Sequence, residues 1–195
     1  MARVQDLSFA LDQLLAGELA THIDKARIVA AGHSYGANTT LLAAGARVER
    51  QGRTLDFRDP RIRAAIVISA PPFYGDASPE RILASVTVPT LHIAATDDVI
   101  RIPGYFSGAQ DRVQVFEATG SAVKVLAVFD GGSHSMFTDR VGTGGVALNP
   151  QVKAATQALS LAFLHRVFDG QGAALAAWPL QFGSIVARFA EGPGR

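Results

Sequence analysis

Ser34 stands in Gly32-His33-Ser34-Tyr35-Gly36, directly behind the apolar run Arg27-Ile28-Val29-Ala30-Ala31 and ahead of a stretch that opens in small residues. A serine on a tight strand-to-helix turn exposes its hydroxyl to a reacting carbonyl, and flanking glycines spare the turn a collision with neighbouring backbone. The Tyr35 amide would face the developing oxyanion, at a helix N-terminus whose partial positive charge favours it. A serine placed there acts as a nucleophile only when a base takes its proton and a carboxylate orients the base. Without those partners, Ser34 would simply cap the helix that follows.

The chain has five histidines to supply the base. His134 lies in Gly131-Gly132-Ser133-His134-Ser135, immediately after an apolar run, where glycines let the backbone carry an imidazole over Ser34. His33 precedes the serine and is expected to project to the opposite side of the turn. His22, His92 and His165 fall before a strand, within a strand and on the last long helix, and are expected to be structural or exposed. The carboxylate is offered twice, in Thr96-Asp97-Asp98-Val99-Ile100, and a shift of one residue decides which aspartate faces the site. Residue type and spacing leave Asp97 and Asp98 both open.

These side chains need a frame. Apolar runs at 27–31, 64–69, 90–95 and 124–129, each bounded by turn residues, read as buried strands. Helical stretches at 40–48, 80–84 and 111–118 alternate with them, which predicts a parallel sheet covered by helices, an α/β fold. Leu7, Leu11, Leu14 and Leu15 follow helical spacing behind Asp6 as a cap, and a further helix is expected after Asn149 and Pro150 with Ala155, Leu159, Ala162, Phe163 and Val167 inward. The Ala- and Gly-rich tail from 170 onward is expected to lie over the surface. Every candidate side chain follows a strand, which is where open parallel sheets bind ligands.

The length of 195 residues predicts one domain, 1–195. Its 18 basic and 17 acidic residues are interspersed, so no footprint for nucleic acid or an anionic membrane is visible, and a small neutral ligand suits the chain better. With no cysteine, thiolate metal sites and disulfides are excluded, and no histidine pair has the spacing of a zinc hydrolase; neither metal nor cofactor is expected. No apolar run approaches the length of a membrane span, and charges interrupt the start where a signal peptide would be apolar, so the chain as written reads as cytoplasmic, although a longer parent would be free to be exported.

GHSYGANTT, DPRIRAAIVISAPP, the TDDVI loop and GGSHS, in that order, resemble the α/β-hydrolase superfamily. Within it they are most similar to the group of dienelactone hydrolases, platelet-activating-factor acetylhydrolases, cutinases and polyester hydrolases. The resemblance runs from about Asp6 to Phe168. It implies Ser34 as nucleophile, His134 as base, the Tyr35 amide as oxyanion donor, and Asp98 as acid, since the run to Ile100 and Pro103 is similar to the family's acid loop. It further implies a carboxylic-ester hydrolase acting on a small neutral ester, with Phe73, Tyr74, Met136 and Phe137 as candidate pocket residues. Members of the group open with further strands and a loop that donates a second oxyanion hydrogen bond. The resemblance therefore implies the carboxyl-terminal part of such a fold, with the nucleophile strand left as an exposed edge. The alternative is an inactive hydrolase-like module that pairs this edge with another chain, or with its own copy.

Overall fold

The apolar runs become strands whose side chains alternate between two helical layers, and that alternation builds the frame for the site. The structure is a computed structural model that describes residues 2–73, 75, 78–138 and 145–192. In chain order its elements are α1 (Ala2–Ala16), β1 (Val29–His33), α2 (Tyr35–Ala44), β2 (Arg47–Arg50), β3 (Arg53–Asp56), β4 (Ala64–Ile68), α3 (Pro79–Leu83), β5 (Thr90–Asp97), β6 (Ile100–Ile102), β7 (Tyr105–Ser107), α4 (Ala109–Ala118), β8 (Lys124–Ser133), α5 (Leu148–Asp169), α6 (Ala173–Phe182) and β9 (Val186–Glu191). Five strands form one sheet in the order β1-β4-β5-β8-β9. The first four run parallel, and β9 joins β8 antiparallel.

On one face, Ala64 and Ile66, Leu91, Ile93 and Ala95, and Val125, Ala127 and Phe129 pack against Leu159 and Phe163 of α5 and Trp178 of α6. On the other, Ala65 and Val67 meet Leu41 of α2, Leu83 of α3 and Val115 of α4, while Leu126 and Val128 meet Val113 and Phe116. Both faces are therefore covered, as a parallel sheet requires. Helix α4 is tied down at its end by the buried Lys124, whose Nζ donates to the carbonyls of Phe116, Glu117 and Thr119 at 2.8, 2.9 and 2.6 Å. These are carbonyls that a helix end leaves without partners of its own.

Several expectations change. Asp6 lies inside α1 and caps nothing there. Helix α2 starts at Tyr35 and stops at Ala44, because Gly45 at φ 122° ends it. Arg47 and Val48, expected to be helical, lie instead on β2 of the β2–β3 hairpin, whose turn residues Gln51 and Gly52 both have positive φ. Helix α5 begins at Leu148 with Ala147 at the cap position, so Asn149 and Pro150 fall in its first turn, where proline lacks no needed donor. The tail is no surface strap: Leu175 and Trp178, three apart on α6, are buried, Trp178 Nε1 donates to Ala155 O at 2.9 Å, and β9 extends the sheet. At the opposite end β1 pairs with β4 alone and is an edge, with Ala31 exposed. No helix among the described residues is long and apolar enough to cross a membrane.

Candidate active site

Ser34 is the single residue between β1 and α2, at φ 59° and ψ −126°. For a residue other than glycine such a conformation costs about 1–3 kcal/mol and persists only where surroundings impose it. They do so through the backbone: the Ser34 amide donates to Ile68 O at 2.9 Å, and its carbonyl accepts from Ala37 N at 2.9 Å. The side chain makes no capping bond, so Ser34 is not spent on the helix. The two glycines prove unequal. A Cβ at Gly32 would stand 2.2 Å from the carbonyl oxygen of Gly36, whereas a Cβ at Gly36 would meet nothing within 4 Å. Tyr35 opens α2 beside Ser34, with its side chain partly exposed.

The acid lies two strands away. Asp97 ends β5 and is exposed, while Asp98, the next residue, is fully buried. Strand β8 gains length against β5 between Phe129 and Ser133, and within that irregularity Gly131 and Gly132 have positive φ. At φ 82° Gly132 holds a backbone that other residues resist, and a Cβ there would also press on the end of the Met136 side chain. The loop so formed carries His134 across to both partners.

His134 Nε2 lies 2.8 Å from Ser34 Oγ, and its Nδ1 lies 2.8 Å from Asp98 Oδ1. A carboxylate only accepts, so Nδ1 carries the proton and Nε2 presents a lone pair to the serine hydroxyl. Burial opposes ionisation of Asp98, yet its hydrogen bond to His134, the charge of Arg112 and the Ser69 hydroxyl outweigh burial and hold the carboxyl below its ordinary value. Ser34, Asp98 and His134, singled out on sequence grounds, thus meet within hydrogen-bonding reach.

Two further residues join them. Ser69, immediately after β4, donates from Oγ to Asp98 Oδ2 and lies 2.7 Å from His134 Nδ1. Arg112 of α4, almost wholly buried, donates to Asp98 Oδ1 at 3.3 Å and to Ser107 Oγ. Sequence reading absorbed Ser69 into an apolar run and Arg112 into a helix. The signals were a hydroxyl at the carboxyl end of the strand beside the nucleophile strand, and an arginine three and four residues ahead of the inward Val115 and Phe116.

His33 corrects an expectation. Instead of pointing away, its Nε2–H donates to the His134 carbonyl at 2.8 Å, and the two rings lie 4.9 Å apart. Burial lowers its pKa, partly offset by that hydrogen bond, and a neutral ring suffices as donor. The remaining histidines behave as expected. His92 is buried within β5, where burial, with Lys124 adding to it, pushes its pKa down to about 3; His165 pairs with Asp169 at 2.9 Å; His22 is exposed.

The candidate pocket residues separate. Phe137 stands 6.0 Å from the His33 ring and lines a cavity of about 280 Å³ with Ile68, Lys153, Thr156 and Gln157. Phe73 lines another, about 190 Å³, with Pro79, Ile82, Leu83 and Val115. Met136 is fully buried in the core beneath Gly132, and packing rather than ligand contact accounts for it. Tyr74 lies outside the described residues. The chain matches no protein-family model and no curated protein.

Proposed function

We propose that the protein is a serine hydrolase that cleaves carboxylic esters through an acyl-serine intermediate, on an α/β-hydrolase fold resembling that of the dienelactone hydrolase and cutinase group. The observation that carries this reading is one imidazole within 2.8 Å of both a strained serine hydroxyl and a buried carboxylate. In the reaction, His134 Nε2 takes the Ser34 proton as Oγ attacks the ester carbonyl, and Asp98 stabilises the imidazolium that results. Negative charge then develops on the carbonyl oxygen beside the N-terminus of α2, where the Tyr35 amide is the assigned donor. The imidazolium gives its proton to the leaving alcohol, and water, activated by the same ring, releases the acid. Arg112, which touches Asp98, is buried and bonded to Asp98 and Ser107, so its charge serves the carboxylate and not a substrate.

A fluorophosphonate probe tests the reading. It should label the wild-type chain at Ser34 and leave Ser34→Ala unlabelled, with hydrolysis of a short-chain nitrophenyl ester lost in parallel. Folded wild-type protein that takes up no label would refute it. The one-sided pairing of β1 favours a second reading, an inert module whose edge adds a strand from another chain or a second copy. Size-exclusion chromatography separates the two: a labelled monomer fits the enzyme, an unlabelled dimer the module.

A further inference from the structure

Ser69 is fully buried and, alone among the described residues, touches both Asp98 and His134 from a backbone that resists its conformation. It follows β4 directly, where extended φ would be expected, yet its φ is 52°. Its amide donates to Ile93 O at 2.7 Å, so the neighbouring strand fixes the main chain in that state. Left-handed backbone in a side chain other than glycine is found where something else demands it. Here the turn sends the hydroxyl between Asp98 and His134.

Proton accounting then gives the hydroxyl a task. Asp98 accepts only, so Ser69 O–H is committed to Oδ2, and an oxygen lone pair of Ser69 is left facing His134 Nδ1 at 2.7 Å. The Nδ1–H is thereby shared between Asp98 Oδ1 and Ser69 Oγ. If the proton moved to Nε2, Ser69 would have to leave Oδ2 to donate to the bare Nδ1, Asp98 would lose both of these bonds, and Ser34 would lose its base. Arg112 holds Oδ1 from the other side, so the carboxylate is gripped at both oxygens.

We propose that Ser69 is a positioning residue of the hydrolysis, acting through Asp98 and His134 to keep the proton on Nδ1 and the ring aimed at Ser34; this rests on the ester-hydrolase reading. Ser69→Ala should lower kcat and the rate of fluorophosphonate labelling about ten- to hundredfold, the loss of one charge-assisted hydrogen bond, with KM unchanged. In an Asp98→Ala background the same substitution should have almost no effect, since the group it acts through is gone. Ser69→Gly also lacks the hydroxyl but relieves the backbone, and should be slowed equally, which separates the hydroxyl from any folding defect. Nitrogen-15 NMR of the His134 ring supplies a readout independent of turnover: Nδ1–H should dominate in the wild type, and the Nε2–H tautomer should appear in both Ser69 variants. If wild-type protein fails to label yet the tautomer shifts on substitution, the hydrolase reading falls, and with it the part in hydrolysis, while the hold of Ser69 on the His134 proton stands. If the variants label at the wild-type rate with an unchanged tautomer, or lose equal factors with and without Asp98, the positioning role is overturned.

Discussion

Ser34 and the Asp98–His134 pair are held by different physics. Ser34 is fixed by steric contact within one short segment and by main-chain hydrogen bonds: Gly32 lies against Gly36, the Ser34 amide reaches Ile68 on β4, and the residue is forced to φ 59°. Asp98 and His134 are fixed by side chains from several elements, with Ser69 after β4 and Arg112 on α4 bonded to one carboxylate and Ser107 on β7 holding Arg112. Shape secures the first region, and the satisfaction of buried polar groups secures the second. The first should therefore tolerate the loss of distant side chains, while the second should fail when any member leaves a charge behind.

Asp98→Ala breaks the second region most severely. Turnover should fall about 10⁴-fold, as when the orienting carboxylate of a triad is lost. Stability should fall by about 3–5 kcal/mol as well, because Arg112 is left as a buried cation without its partner. Asp97→Ala, one residue away but exposed, should change stability by no more than about 0.5 kcal/mol. Urea titrations alongside esterase assays check both. The pH dependence follows in sign: the Asp98 carboxyl is held below its ordinary 3.8, so the unfolded chain takes up the proton first. Its contribution is complete above that value and is lost as pH falls through the lower folded value. Melting temperature measured from pH 5 downward should drop more steeply in the wild type than in Asp98→Asn.

The same division decides what was legible beforehand. The four parallel strands showed as apolar runs, and Ser34 and His134 showed because each follows a strand in a turn whose composition is local, whereas spacing left Asp97 and Asp98 both open and burial separates them. Arg112 and Ser69 did not, because their meaning depends on which helix face and which strand end arrive beside Asp98, a fact of tertiary packing. His33 was assigned to the wrong side for the same reason: alternation fixes its face of the sheet, but not which loop crosses over it. The helical stretch was carried on to Val48, into β2, and the hairpin was missed because its turn relies on a positive φ at Gln51, while α6 was hidden by alanine-rich composition around Leu175 and Trp178.

Gly32→Ala is the matching disruption of the first region, and smaller. A methyl group 2.2 Å from the Gly36 oxygen meets backbone, which yields only by moving β1 or α2, so a loss of about 1–3 kcal/mol is expected together with most of the activity. Gly36→Ala, in the same motif, should be neutral or stabilising by up to about 1 kcal/mol, since its Cβ enters open space on a helix. Thermal melts of the two single variants test whether the motif's glycines are as unequal as their contacts. A Gly36→Ala protein as damaged as Gly32→Ala would contradict that asymmetry.

The finest test isolates backbone strain from chemistry at Ser34 itself. Ser34→Ala and Ser34→Gly both lose the hydroxyl and its contact with His134, so both should be inactive and the lost hydrogen bond cancels between them. They differ at φ 59° and ψ −126°, which alanine resists and glycine adopts freely. Glycine elsewhere costs the folded state about 0.5–1 kcal/mol relative to alanine through chain entropy. Here that order should reverse, with Ser34→Gly the more stable of the pair by about 1 kcal/mol once relief of strain exceeds the entropy term. Because no helix-capping bond is lost in either variant, the difference in melting temperature reads the strain less the entropy term. A glycine variant less stable than the alanine one would mean that the turn relaxes when the hydroxyl leaves, and that the His134 contact, not the backbone, keeps Ser34 in place.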